Sequence, residues 1–210
     1  DKPVLQDYSL SVARGSVLAI LGANGAGKTT LLNSIVGLRQ PTAGTVASAG
    51  RIGYVPQLFH STFAFSVLDI VLMGRARHVG LFGAPRARDY EITQQSLDRM
   101  KVGHLRDRPF NELSGGQRQL VMIAQALASE CEILILDEPC SALDYKNQSI
   151  VIDTLRDLNA SMGLTIVFST HAPQHGLEAA THVLLMKDAR RYEPGAVEDV
   201  LTAENLSALY

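Results

Sequence analysis

From Ser16 the chain enters an unbroken apolar run, Val17-Leu18-Ala19-Ile20-Leu21. The run is too short for a helix and too continuous for a strand with one wet face, so it predicts a parallel strand buried on both sides. A glycine-rich turn follows, and beyond it Leu31, Leu32, Ile35 and Val36 recur at helical spacing until Gly37 can end the helix. Two further runs have the same character: Ile133 to Leu136 ends in Asp137-Glu138-Pro139, and Leu164 to Phe168 ends in Ser169-Thr170-His171. Open parallel α/β sheets hold ligands at the carboxyl edge of their strands, so these three segments are expected to converge on one crevice. Pro3-Val4-Leu5 also reads as strand-like. Between Gln57 and Ser114 the pattern turns helical, with Val67, Ile70, Val71 and then Ile92, Leu97, Met100 at usable spacings and breaks at Gly80, Gly83 and Pro85. Ala196 to Leu201 and Ala203 to Tyr210 are helix-like, and no internal repeat or low-complexity tract interrupts the chain. The expected organisation is one domain over 1–210, with 1–57 and 115–210 as its α/β core and 58–114 as an inserted helical subdomain.

Composition narrows this little. With 210 residues, 46% of them hydrophobic and 19% charged, the chain can bury a substantial core, and its net charge of −2 gives no reason to expect a nucleic-acid partner. Cys131 and Cys140 flank the Ile133 strand at opposite ends, poorly placed to bridge, which fits a reducing cytosolic setting. The longest apolar candidate for a membrane span, Phe63 to Met73, is interrupted by Ser66 and Asp69 and falls well short of the roughly 20 residues required. Any work at a membrane therefore needs a partner that spans it. The chain opens at Asp1 directly into the strand-like segment, so further residues are expected ahead of it.

The turn after the first strand carries the chemistry. Gly22-Ala23-Asn24-Gly25-Ala26-Gly27-Lys28-Thr29 matches G-x-x-x-x-G-K-[ST], between a buried strand and an amphipathic helix as that pattern requires. Its glycines let successive backbone N–H groups face phosphate oxygens, and the helix N-terminus adds partial positive charge. Lys28 can reach the β and γ phosphates of a nucleotide, and the Thr29 hydroxyl can ligate Mg²⁺. Thr30, next in the same helical turn, is counted with them. Asp137, at a strand tip, can hold Mg²⁺ directly or through water, while Glu138 points differently and is available to polarise an attacking water. An acidic pair at a strand end is common and says little alone; the phosphate loop in the same sheet gives it meaning.

Leu113-Ser114-Gly115-Gly116-Gln117 precedes a helix with Leu120, Val121, Ile123, Ala124, Leu127 and Ala128 on its apolar face. Ser114 is a good N-cap and the glycines expose N–H groups, which makes a second anion site or simply a capped helix start. At this point the sequence resembles the ATPase subunits of ABC transporters over nearly its whole length. The phosphate loop, a Gln loop at Gln57, the LSGGQ signature at Leu113 to Gln117, the acidic strand end at Asp137-Glu138, a D-loop at Ser141-Ala142-Leu143-Asp144 and a switch His171 all fall in the family's order. The resemblance implies a P-loop NTPase (RecA-like) core with a parallel sheet, an inserted helical subdomain and a small antiparallel β portion. It implies ATP and Mg²⁺ as ligands, and a head-to-tail dimer in which Ser114, Gly115, Gly116, Gln117 and Asp144 of one copy close over ATP on the other's phosphate loop. By the same resemblance Glu138 is the general base, His171 contacts the γ-phosphate, and Gln57 links Mg²⁺ to the inserted region. The family's adenine-stacking aromatic is expected ahead of residue 1, and Tyr8 is read as a core or strand residue. Where the family usually has Thr or another small residue after Asp-Glu-Pro this chain has Cys140, of similar size and expected to preserve the packing and catalysis, though as a thiol near the dimer interface it is open to oxidation or modification. His171 and His175 stand four apart, but with Ala172 and Pro173 between them and no ligand cluster following, metal ligation is not expected.

Ser66 to Arg75 and Gly195 to Thr202 resemble the importers of iron-siderophore, haem, cobalamin or molybdate-type cargo. That implies integral membrane permease subunits as partners, indirectly a substrate-binding protein, and a place at the cytoplasmic face of the cell membrane. Phe59 to Phe65 becomes a candidate for part of the permease contact, or ordinary subdomain core. Two other classes remain open. A soluble ABC ATPase would act on cofactor assembly or nucleic acid, but the coiled-coil insertion of repair-type members and the tandem motifs of translation-type members are missing. A P-loop kinase would leave LSGGQ and the D-loop unexplained.

Overall fold

The computed structural model describes residues 3–57, 63–80 and 83–209. Its strands are β1 (Val17–Gly22), β2 (Ile52–Val55), β3 (Ile133–Leu136), β4 (Thr165–Thr170), β5 (His182–Met186) and β6 (Tyr192–Ala196). The helices are α1 (Lys28–Ile35), α2 (Val67–Leu72), α3 (Ala76–Val79), α4 (Ala87–Arg99), α5 (Gly115–Ala128), α6 (Tyr145–Met162), α7 (Pro173–Ala179), α8 (Val197–Val200) and α9 (Ala203–Leu209). The strands form one sheet in the order β2-β3-β4-β1-β5-β6.

The sheet is parallel from β2 through β5. All six residues of β1 are buried because both faces are covered. Val17, Ala19 and Leu21 join a large cluster with residues of α2, α4, α5, α6 and α7, while Leu18 and Ile20 pack with Leu31 and Leu32 of α1. That two-sided burial is why β1, β3 and β4 read as continuous apolar runs.

Register decides what meets at the carboxyl edge. Val55 pairs with Leu136, Leu136 with Phe168, and Leu21 with Thr170. One step beyond Val55, Leu136 and Phe168 lie Pro56, Asp137 and Ser169, level with Ile20 of β1, whose strand runs on through Leu21 into the phosphate loop at Gly22. The crevice expected from three strand ends is thus built from four.

One expectation is corrected, and the expected antiparallel portion is located. Pro3-Val4-Leu5 is not a strand: the segment before β1 has no ladder partner, and backbone bonds such as Gln6 N–H to the Ala189 carbonyl (2.7 Å) tether it to the β5–β6 hairpin. Its alternating Tyr8, Leu10 and Val12 still pack on the core, which is the pattern that imitates a strand. The antiparallel portion is β6, paired antiparallel to β5 at the edge of the main sheet. Tyr8 stacks on Tyr192 with ring centroids 4.3 Å apart and donates its hydroxyl to the Asp188 carbonyl at 2.8 Å, a structural part as expected.

Between β2 and β3 the chain is helical. Ser66 and Asp69 form a reciprocal capping box at the start of α2, whose Val67, Ile70 and Val71 are buried. The turn after α2 lies against α5: a Cβ at Gly74 would run into the backbone carbonyl of Gln125. The next residue, Arg75, is buried and bridges Asp89 (3.0 Å), Glu130 (2.8 Å) and the Ala128 carbonyl (2.7 Å), pinning α4 and the C-terminus of α5 together. Among the described residues no helix is long and apolar enough to cross a membrane.

The Gly74 contact leaves no room for relaxation, because its neighbour is main chain. Gly74→Ala is expected to destabilise the fold by about 1–3 kcal/mol, read in thermal unfolding as a Tm lower by several degrees. An unchanged Tm would mean that this turn is not tightly seated on α5.

Candidate functional site

The phosphate loop leaves β1 at Gly22 and enters α1 at Lys28. Gly25 and Gly27 have φ of +82° and +99°, in the left-handed region where an L side chain is strained. A Cβ at Gly27 would also come within 2.9 Å of the Leu5 side chain, so glycine is required there twice over. No side chain caps α1, which leaves its first N–H groups for a ligand. Asn24 and Thr29 are exposed on this loop, and Ala26, Gly27 and Thr30 are half-buried.

Lys28 is only 5% exposed. Its ammonium donates to the carbonyls of Gly22 (2.8 Å) and Ala23 (3.2 Å) and pairs with Glu138 Oε1 at 3.1 Å. The other oxygen, Glu138 Oε2, accepts from Gln57 Nε2 at 3.4 Å and faces His171 Nδ1 at 3.4 Å. One carboxylate therefore collects Lys28, Gln57 and His171 from three different strand ends. Glu138 reaches this position with φ of +45°, a left-handed conformation that costs a non-glycine residue about 1–2 kcal/mol.

Ser169 supports that geometry and was not singled out by the sequence. It is fully buried, donates to Asp137 Oδ1 at 2.6 Å and accepts from the Glu138 backbone N–H at 2.8 Å. The available signal was a serine directly continuing an apolar strand, since a buried hydroxyl needs partners. Asp137, 2% exposed, keeps Oδ2 for another ligand. That oxygen, the Thr29 hydroxyl and the amide oxygen of Gln57 are hard oxygen donors, the set that Mg²⁺ takes, so the residues present fit that ion.

The signature residues sit elsewhere. Ser114 caps α5, accepting from Gln117 N–H at 3.3 Å, while Gln117 Oε1 accepts from Ser114 N–H at 3.0 Å. Cβ positions at Gly115 and Gly116 would lie 3.2 Å from Leu143 and 2.5 Å from Asn147, so within the chain this helix start rests on the D-loop and the start of α6. Asp144 caps α6, taking Asn147 N–H at 2.8 Å and Asn147 Nδ2 at 2.9 Å. Among the described residues no hydrogen bond or ion pair joins 114–117 to 22–29.

The two histidines are unlike. His171 is about half exposed beside Glu138, whereas His175 is 5% exposed with Nδ1 at 2.9 Å from Thr170 Oγ1 and Nε2 at 3.2 Å from Gln148 Oε1. Burial pushes the His175 imidazole below its usual pKa, with a smaller opposing pull from Glu178. Cys140 is 3% exposed and its thiol is pushed up to about 12, by burial first and by Glu178 second. Cys140 therefore packs as its size led one to expect, and its burial takes the thiol out of reach of the modification also considered for it. Cys131 is buried as well, and burial raises its thiol too. Of the Phe59 to Phe65 permease-contact candidate, 59–62 lies outside the described residues. Phe63 is exposed and stands edge-on to Phe65 at 5.9 Å, and Phe65 packs against the core.

Comparison with known proteins bears on this site directly. The sequence model of the family described as ABC transporter matches residues 5–141. The molybdate import ATP-binding protein MolC of Haemophilus influenzae is 46% identical over 207 residues, covering 99% of this chain and 81% of that protein. A solved structure of an inward-facing ABC transporter, described as of metal-chelate type, superposes with a TM-score of 0.95 at 46% identity, over 98% of this chain and 81% of that one. A dimeric ATP-binding cassette in a post-hydrolysis state bound to ADP and Pi superposes with a TM-score of 0.79 at 27% identity, over 92% of this chain and 90% of that one.

Thiol burial gives a direct check. Neither cysteine is expected to react appreciably with an aromatic disulfide reagent at pH 8 in the folded protein, and both are expected to react on unfolding. Rapid titration of Cys140 in the native state would contradict its buried, protonated placement.

Proposed function

The chain belongs to the ABC transporter family as one of its ATPases, and we propose that it is the motor of an importer that takes up a metal chelate or an oxyanion of the molybdate class. The observation that carries the chemistry is the Glu138 carboxylate, held by Lys28, Gln57 and His171 at the carboxyl edge of four parallel strands. The β and γ phosphates of ATP take Lys28 from Glu138, and Glu138 is then free to accept a proton from water as that water attacks the γ-phosphorus. The bond from the γ-phosphorus to the β–γ bridging oxygen breaks, ADP leaves with that oxygen, and inorganic phosphate is released. His171 contacts the γ-phosphate and orients the attack. Thr29, Asp137 and Gln57 are the residues that would hold Mg²⁺, which neutralises phosphate charge when bound.

The signature helix start is an anion site that its own phosphate loop does not use. A second copy arranged head to tail supplies the missing half of each site, with Ser114, Gly115, Gly116, Gln117 and Asp144 closing over the partner's nucleotide. The dimeric neighbour with ADP and Pi bound supports this arrangement. Besides Phe59 to Phe65, a second candidate for the permease seat is an open groove of about 680 Å³ along the edge strand β2, lined in part by Val36, Leu38, Ile52, Tyr54, Arg77 and Glu132. There the exposed Leu38, 70% accessible, and the unpaired strand edge offer apolar and hydrogen-bonding contact to a membrane subunit's cytoplasmic helix. The 58–114 segment is the inserted arm that links Gln57 to that seat. The chain thus works at the cytoplasmic face of the cell membrane, held there by permease subunits that receive cargo from a substrate-binding protein. The MolC and metal-chelate likenesses support the cargo class.

Glu138→Gln is expected to bind ATP and lower the hydrolysis rate by at least about a hundredfold, measured as phosphate release. A wild-type rate would remove Glu138 as the base. Ser114→Arg and Lys28→Ala are each expected to be inactive alone. Mixed, they should regain roughly a quarter of the wild-type rate, because random pairing makes half the dimers mixed and each keeps one intact site. A mixture as dead as its parts would overturn the head-to-tail reading.

A further inference from the structure

Behind the site, outside the residues given a chemical role, runs a partly buried chain of hydrogen bonds centred on the buried His175. Gln148 on α6 has one amide end 2.9 Å from the Leu143 carbonyl and 3.5 Å from the Cys140 carbonyl. Carbonyls only accept, so that end is the NH₂ and the other end, Oε1, faces His175. His175 Nε2, 3.2 Å from that oxygen, must then carry the proton. In a neutral ring this leaves Nδ1 as an acceptor, and Thr170 Oγ1 at 2.9 Å is its donor. The Thr170 oxygen accepts in turn from the backbone N–H of Ala172 at 3.1 Å. Burial, which lowers the basicity of His175, favours the neutral ring, in which Thr170 donates to Nδ1 and Nε2–H donates to Gln148.

The two ends of this relay are functional segments. Thr170 and Ala172 bracket His171, so the bonds at that end shape the turn that presents His171 to Glu138. At the other end Leu143 belongs to the D-loop, and its side chain lies under Gly115 at the start of α5. We infer that His175 and Gln148 are positioning residues that tie the His171 turn to the D-loop and the signature helix start, so that these segments reach their hydrolysis-competent arrangement together. This rests on the ATPase reading above, and it assigns to His175 and Gln148 a role in turnover and none in nucleotide binding. Neither side chain reaches the phosphate loop.

The test uses steady-state ATP hydrolysis by the full chain. His175→Phe keeps the ring volume and loses both bonds; Gln148→Leu cuts the link to the D-loop. Each is expected to lower kcat roughly tenfold while KM for ATP changes less than about twofold. The double variant should fall no further than the worse single variant, because the second cut falls in a chain already broken. Gln148→Glu, which still accepts from His175 but has no amide to donate to Leu143, should behave as Gln148→Leu does. His175→Gln, whose amide can still donate to Gln148, should recover much of the loss. Wild-type kcat in either single variant, losses that multiply in the double variant, or a tenfold rise in KM would overturn the relay. If His175→Phe does not fold, the half-buried Gln148→Leu and Gln148→Glu decide the matter by themselves. Lys28→Ala separates the two levels: hydrolysis surviving that change would sink the ATPase site itself, whereas an inert Lys28→Ala beside a normal Gln148→Leu would sink only the relay.

Discussion

The ammonium of Lys28 is almost wholly withdrawn from water, and a buried charge without partners is too costly to persist. Its partners here are two phosphate-loop carbonyls and Glu138, and the last of these imposes the most on the rest of the fold. Glu138 can turn back toward β1 only in a left-handed conformation, and its reversed N–H needs an acceptor. Ser169 is that acceptor, and the register of β3 on β4 sets it beside Asp137 and Glu138. Sheet register, backbone strain and the ion pair thus depend on one another. On the proposed reading the consequence is functional: phosphate oxygens that arrive at Lys28 displace Glu138, so binding the nucleotide and releasing the base are a single event.

Much of this framework was legible because its signals are local. The runs at Val17, Ile133 and Leu164 became β1, β3 and β4, since strands covered on both faces cannot hide polar residues in their middles. The phosphate loop and the caps at Ser114 and Asp144 depend on spacings of a few residues. Strands β2, β5 and β6 escaped notice: β2 is four residues with Gly53 inside it, and β6 contains Pro194 and Gly195, residues that normally argue against a strand. The Pro3 to Leu5 segment failed the other way, because a short apolar run reads as a strand whether or not a ladder partner exists.

What the sequence hid lies in contacts between distant residues. Nothing near Glu138 announces its positive φ, since glutamate has no special tolerance for that region; the conformation accompanies an ion pair with Lys28, far earlier in the chain. Ser169 has meaning only through the β3–β4 register, and His175 only through Gln148 on another helix. Read alone, His175 invites comparison with His171 as a metal pair. In the fold both of its ring nitrogens are engaged in the protein's own hydrogen bonds, and the two side chains differ tenfold in exposure.

The arrangement of anion sites carries the argument for two copies furthest. Each chain has two glycine-bearing helix starts, α1 and α5, and each leaves N–H groups outside its own helix. The α1 start faces Lys28 and the acidic strand end, whereas the α5 start rests its glycines on Leu143 and Asn147. One triphosphate on the α1 start leaves the α5 start of the same chain without a ligand. On the proposed reading, two chains related by a two-fold axis would resolve this symmetrically: each α5 start would meet the other's phosphate loop, both nucleotides would be enclosed, and no site would be left over to recruit a third copy. On the same reading, because the α5 start is seated on the D-loop, closing one nucleotide would press on the segment that, in the same chain, runs back to the turn bearing His171.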